Sequence, residues 1–198
     1  MQETARETLV IRRGCLLLAG WGILLAGCGG PAGEPGSREA AQMVLAQKGT
    51  FIPYGSSLTV RSPDRIPSGE FAVQRVSLKQ ARLTRANLEL LKPLTRLEAL
   101  DLQGTGLTNA GLAELAGLTN LRELVLYQTG VTDAGLVHLQ GMRRLERLDL
   151  SYTAVTDKGL EALAGLRNLN SLFLFGTQVT DEGINTLKKS LPKLQVHR

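Results

Sequence analysis

Redox, metal and nucleophilic chemistry have little to work with in this chain. Its 198 residues hold two cysteines and two histidines. Cys15 and Cys28 form no Cys-x-x-Cys pair, and His138 and His197 stand too far apart to build a metal cluster or a catalytic triad. No glycine-rich loop of the phosphate-cradling kind follows a strand. The sequence therefore points away from an enzyme and implies no cofactor and no metal. Aromatic residues are also scarce, at 4% of the chain, so any place where they gather is informative. Charge is modest as well, with 23 Lys and Arg against 18 Asp and Glu for a net +5. That balance is too mild for a nucleic-acid footprint.

What the chain does have, from residue 73 onward, is a 24-residue period. Residues 73–96, 97–120, 121–144, 145–168 and 169–192 align on L-x-x-L-x-L-x-x-T-x-V-T-D-x-G-L-x-x-L-x-G-L-x-x. Each unit opens with period-2 leucines, as in Leu100 and Leu102 or Leu148 and Leu150, and then changes to helical spacing, as in Leu160, Leu163 and Leu166. One strand and one short helix per unit follow, stacked as a solenoid. Thr108, Thr132, Thr156 and Thr180 precede the helical runs and are expected to cap them, with Asp133, Asp157 and Asp181 in the favoured first turn. Gly117, Gly141 and Gly165 fall about two turns later, where a left-handed residue commonly ends a helix. A second column, Thr105, Thr129, Thr153 and Thr177, is expected to be a ladder of hydroxyls satisfying buried turn amides.

This pattern resembles the leucine-rich repeat family, in the variant whose helix begins T-D-x-G-L, over roughly two-thirds of the chain. The first copy departs most, with Arg85, Asn87 and Ala81 in place of Asp, Gly and Thr, as terminal repeats do where they meet a cap. The resemblance implies an α/β solenoid, with a curved parallel sheet on the concave face and short helices on the convex face. The same T-D-x-G-L form resembles the repeats of ubiquitin-ligase substrate adaptors. There is no room here for an F-box, so that role is not carried over.

The first residues are of another kind. Arg6, Arg12 and Arg13 precede the apolar run Leu16–Leu25, too short for a comfortable membrane span and suited to a signal peptide over residues 1–27. Arg12-Arg13 could also begin a twin-arginine signal, although plain Sec-type export fits the surroundings better. Leu25-Ala26-Gly27-Cys28 resembles the bacterial lipobox, which implies that Cys28 is diacylated and becomes the mature N-terminus. Cleavage there would remove Cys15 and leave no disulfide partner. It would also remove three Arg and two Glu, leaving 20 basic and 16 acidic residues, or +4. Residues 28–37, rich in Gly and Pro, read as a flexible tether. Residues 38–72 read as an N-terminal α+β cap and linker: a helix over 38–48, a hairpin within 50–60 and a loop over 61–70. The repeats then occupy 73–198 and close on a final strand around Leu194 and Val196.

Side chains alternate across a strand, so the residues between and after the repeat leucines face the concave side. That places Arg75, Ser77 and Lys79 there, followed by Ala99, Asp101 and Gln103, Glu123, Val125 and Tyr127, Arg147, Asp149 and Ser151, and Ser171, Phe173 and Phe175. Tyr152 lies one position further along its strand. The candidate ligand-binding residues are Arg75, Lys79, Glu123, Val125, Tyr127, Arg147, Tyr152, Phe173 and Phe175. The aromatic members would supply anchors and the charged members complementarity. Asp101 and Asp149 occupy alternate repeats, roughly 10 Å apart by strand spacing, with no nucleophile nearby. They read as solvated charges. The expectation is an exported, membrane-anchored lipoprotein that binds a protein partner on its concave face. A cell-envelope glycan binder and a purely structural envelope protein, with its phenylalanines protecting the C-terminal end, are the alternatives.

Overall fold

The computed structural model describes residues 33–198. The leader, Cys28 and the start of the tether lie outside the described residues. The described chain begins with helix α1 (Ser37–Ala46) and strand β1 (Thr50–Pro53). Six further strands follow: β2 (Val73–Ser77), β3 (Ala99–Asp101), β4 (Glu123–Val125), β5 (Arg147–Asp149), β6 (Ser171–Phe173) and β7 (Gln195–His197). Between them lie α2 (Arg85–Glu89), α3 (Asn109–Glu114), α4 (Asp133–Leu136), α5 (Asp157–Glu161) and α6 (Asp181–Ser190). The strands form one sheet in chain order, and β2 to β7 are parallel at a register of 24, so that Leu100 pairs Leu124, Leu148 and Leu172 in succession. These leucines, together with Leu112 and Leu136 from the helices and Leu163 from the turn after α5, are fully buried in one continuous core.

The N-terminal part differs from the sequence reading at two places. Gly33–Gly36 is packed onto the domain: Glu34 N–H donates to the Phe71 carbonyl at 3.2 Å, and a Cβ on Gly33 would overlap Glu70 and Phe71. Residues 33–37 thus already belong to the packed unit, ahead of the expected start at 38. The expected hairpin is reduced to a single bridge between Phe51 and Val60. The pairing of β1 goes mainly to β2, antiparallel, with Thr50 opposite Ser77. The edge strand of the first repeat is thereby covered, and Ala40, Ala41, Val44 and Phe51 close the leucine stack.

The helix ends also differ. Gly117, Gly141 and Gly165 are not left-handed. The helices run out into overlapping turns in which Leu115, Leu118 and Leu121 each donate to the carbonyl three residues earlier, so no left-handed stop is needed. The left-handed column lies just past each strand instead, at Gln80, Gly104, Gln128, Tyr152 and Gly176. The second threonine column satisfies carbonyls rather than amides. Thr105, Thr129, Thr153 and Thr177 donate to Leu102, Leu126, Leu150 and Leu174 at 2.6–2.8 Å.

Capping is shared between repeats. Asp133 accepts from the Thr156 N–H and hydroxyl, both at 2.7 Å, and Asp157 accepts from the same groups of Thr180 at 2.8 and 2.6 Å. Asn109 accepts from Thr132 N–H at 2.9 Å and donates its amide to the Thr132 hydroxyl. Thr156 and Thr180, which donate their hydroxyl protons, accept from N–H groups of their own helices. Thr132, whose oxygen takes the Asn109 amide, makes no such cap, and neither does Thr108. The helix-start glycine makes room for this relay, because a Cβ on Gly135, Gly159 or Gly183 would collide with the preceding Asn109, Asp133 or Asp157.

Candidate binding face

The register arranges the concave residues in straight columns: Arg75, Ala99, Glu123, Arg147, Ser171 and Gln195, and beside it Ser77, Asp101, Val125, Asp149, Phe173 and His197. Within the first column Glu123 lies 3.4 Å from Arg75 on one side and 3.4 Å from Arg147 on the other. Lys79 lies 3.2 Å from Asp101. The four charges expected to project toward a partner are therefore already paired with one another or with a neighbour. Asp101 and Asp149 each accept the N–H two residues on, from Gln103 and Ser151. Both fix the turn that leaves the strand, a local bond that a solvated reading overlooks.

Ala99 opens a gap between Arg75 and Glu123. A depression of about 200 Å³ results, with Ala99, Val125 and Ile52 on its walls and Ser77, Asp101, Thr50 and Thr59 around them. Thr50, Ile52 and Thr59 belong to the cap. Sequence reasoning had no signal for them, because the antiparallel placement of β1 is a tertiary outcome.

The other half of the face is aromatic. The Tyr127 and Tyr152 rings meet edge to face at 5.1 Å. Phe173 is stacked on His197 at 4.4 Å and carries the Arg147 guanidinium 4.2 Å from its ring centre. Phe173 is thus half-buried, whereas Phe175 and Tyr152 are 44% and 56% exposed. Tyr152 is not on a strand as expected. It sits in the left-handed turn beyond β5, beside Gly176, where a Cβ would come within 2.8 Å of its ring. Ser151 lies between Tyr127 and Phe175 in its column, buried, its hydroxyl without a hydrogen-bond partner. His197, missed by the sequence reading, belongs to this patch because β7 aligns it with Phe173.

Among the described residues no group of three His, Cys, Asp or Glu could hold a metal ion, and no helix is long and apolar enough to cross a membrane. His138 lies in the 3₁₀ turn Val137–Leu139 that continues α4, away from these columns.

A parallel strand inside and a short helix outside, repeated every 24 residues, define a leucine-rich-repeat solenoid, and the comparisons agree. Family models described as leucine rich repeat match residues 119–179 and 94–116, and neither description names a catalytic activity. Among solved structures, internalin C2 from Listeria monocytogenes is 21% identical with a TM-score of 0.53, over 83% of this chain and 73% of that one. The leucine-rich-repeat ectodomain of the receptor kinase SOBIR1 from Arabidopsis thaliana is 16% identical with a TM-score of 0.53, over 84% and 92%. At these identities the likeness is one of fold. The comparison with curated proteins gives no match.

Proposed function

We propose that this protein is a lipid-anchored cell-envelope binder that engages a protein partner through the aromatic half of its concave face. The observation that carries the binding reading is the cluster of Tyr127, Tyr152, Phe173 and Phe175. It gathers four of the chain's seven Tyr and Phe residues on one surface and leaves Tyr152 and Phe175 largely open to solvent. Aromatic rings at the centre of a concave surface are efficient anchors, since each buries a large area at small entropic cost. The paired charges of Arg75, Glu123 and Arg147 would then act as a preorganised polar rim. An ectodomain of a receptor kinase carries the same fold, in keeping with a recognition role. The anchor, the export route and a bacterial source rest on the sequence of residues 1–28.

The test is site-specific photocrosslinking from position 175 in cells, with position 161 on α5 as control. A discrete protein adduct from 175, absent from 161 and lost when Tyr152→Ser is added, is the expected result. Adducts that migrate as cell-wall fragments would favour the glycan reading, in which the same rings stack on sugars. No adduct from 175 would leave the aromatics as end protection. Intact mass and membrane partitioning of the wild type beside Cys28→Ser test the anchor separately.

A further inference from the structure

Strands β2 to β7 all begin at one edge of the domain, and three separate features meet there. First, the chain enters at this edge: the Glu34 carboxylate accepts from the Thr95 hydroxyl at 2.9 Å and from Arg96 N–H at 2.6 Å, in the turn ahead of β3. Second, β1 runs antiparallel to β2, so its Pro53 end lies at this edge, where Tyr54 N–H donates to Ala72 at 2.8 Å. The turn beyond it carries Tyr54, 39% exposed, and Leu58, at 75% the most exposed large hydrophobic residue described. Tyr54, Arg96, Glu98, Asn120 and Arg144 line one shallow depression on this surface. Third, the turns ahead of β5, β6 and β7 hold Arg143, Arg144, Arg167 and Lys193, all exposed and none in an ion pair with a described residue.

Cations elsewhere are partly paired and partly not: Arg82, Lys158, Lys188 and Lys189 are exposed and in no ion pair with a described residue. On the concave face Arg75, Lys79 and Arg147 are all paired. On the convex side Arg85 and Lys92 share Glu114. The opposite edge, where the strands end, carries Asp133, Asp157 and Asp181, with Lys158 beside Asp157 and Arg198 paired to Asp181. The strand-start edge thus brings four exposed cations without ion-pair partners and an apolar turn together, beside Glu70, Glu98 and the Arg122–Glu146 pair.

We propose that this edge docks on an anionic lipid bilayer, with Tyr54 and Leu58 entering the headgroup layer and Arg143, Arg144, Arg167 and Lys193 facing lipid phosphates. An aromatic ring and an aliphatic side chain flanked by cations match the interfacial region, where each finds a favourable depth. A soluble polyanion would have no use for an exposed leucine. The proposal rests on the lipid-anchor reading for its geometry. Four residues, and so five Cα–Cα steps, separate Cys28 from Gly33, a reach of at most about 18 Å, so a lipid on Cys28 would hold this edge against the membrane and leave the concave face open to the side. Its chemistry rests on the described residues alone.

The experiment uses the mature chain from position 28 carrying Cys28→Ser, so that neither a diacyl group nor the apolar leader contributes. Its sedimentation is compared with phosphatidylcholine vesicles and with vesicles in which about a third of the lipid is phosphatidylglycerol. The expected result is preferential binding to the anionic vesicles, falling about fivefold for each cation neutralised in the series Arg143→Gln, Arg144→Gln, Arg167→Gln and Lys193→Gln. Leu58→Ser is expected to weaken binding severalfold, and high salt to remove the preference. Urea midpoints equal to the parent's show that these surface variants still fold. Equal binding to both vesicle types, or an undiminished fourfold variant, overturns the proposal. So does binding that depends on the cations and is indifferent to Leu58→Ser, which would reassign the edge to a soluble polyanion. A wild type lacking the diacylglyceryl mass removes the anchor and leaves this measurement standing.

Discussion

The smallest unit that explains this protein is a pair of residues in successive repeats. Asp133 holds the N–H and hydroxyl of Thr156, and Gly159 leaves the space in which that carboxylate sits. Replacing Asp133 by Ala strands two partly buried donors and is expected to cost about 1–3 kcal/mol by urea denaturation. Gly159→Ala should cost a similar amount, since the new methyl forces the carboxylate aside. The informative counterpart is Asn109→Asp. A carboxylate there would take the Thr132 proton and free that oxygen to cap α4, a gain of about 0.5–1 kcal/mol. No gain would mean that the cap is limited by geometry instead of hydroxyl polarity. The left-handed column offers a similar comparison, because Gln128 at φ 53° occupies a conformation that Gly104 and Gly176 adopt without strain. Gln128→Gly is expected to be stabilising by about 0.5 kcal/mol once the entropy of glycine is counted.

At the scale of elements, the helices of the middle repeats are four to six residues long, too short to persist by themselves. Lateral contacts keep them, which makes inter-helix ion pairs and relays more consequential than helix propensity. Asp157 is held below the ordinary carboxylate range chiefly by the Thr180 hydroxyl and next by its N–H. Glu114 is held low chiefly by the Lys92 ammonium, with the Arg85 charge adding to it. A carboxylate with a depressed folded pKa contributes stability above its unfolded pKa and loses it as pH falls through the folded value. Stability is therefore expected to stay level from neutrality down to about pH 5 and to decline below about pH 4, with a shallower decline in Asp157→Asn. The sheet divides its aromatic residues in the same way: Phe173 is fixed by Arg147 and His197, whereas Phe175 is open. Phe173→Ser should lower the urea midpoint, while Phe175→Ser should leave it nearly unchanged.

Over the whole molecule the buried residues form one cluster from Ala40 in α1 to Leu194 before β7. Each repeat buries its leucines only against its neighbours, so nearest-neighbour coupling holds the stack together. Leu124→Ala, at the centre, is expected to cost about 2–5 kcal/mol and to destabilise both ends alike. Probes at Trp-free positions in the cap and in α6 would then report one transition; two would show that the stack melts from an end. The C-terminal end is closed differently from the N-terminal one. Ten positions separate Asp181 from Leu191 where nine separate Asp157 from Leu166, α6 is ten residues long, and Asp181 lies 2.9 Å from Arg198.

Periodicity determined much of this by itself. Leucines at offsets of two, three and four within a fixed 24-residue unit leave one parallel strand and one short helix as the arrangement that buries them all, and alternation then assigns Arg75, Glu123, Tyr127, Phe173 and their neighbours to one face. Local patterns could not say what those side chains meet. The Arg75–Glu123–Arg147 bridge spans 72 residues of chain. The Asp133–Thr156 relay joins residues that propensity would treat as belonging to separate helices. The antiparallel seat of β1, which brings Tyr54 and Leu58 to the strand-start edge, depends on an unpaired strand that exists only once the first repeat has folded. These are contacts between units, and a pattern read within one unit carries no information about the side chain that lies across the gap.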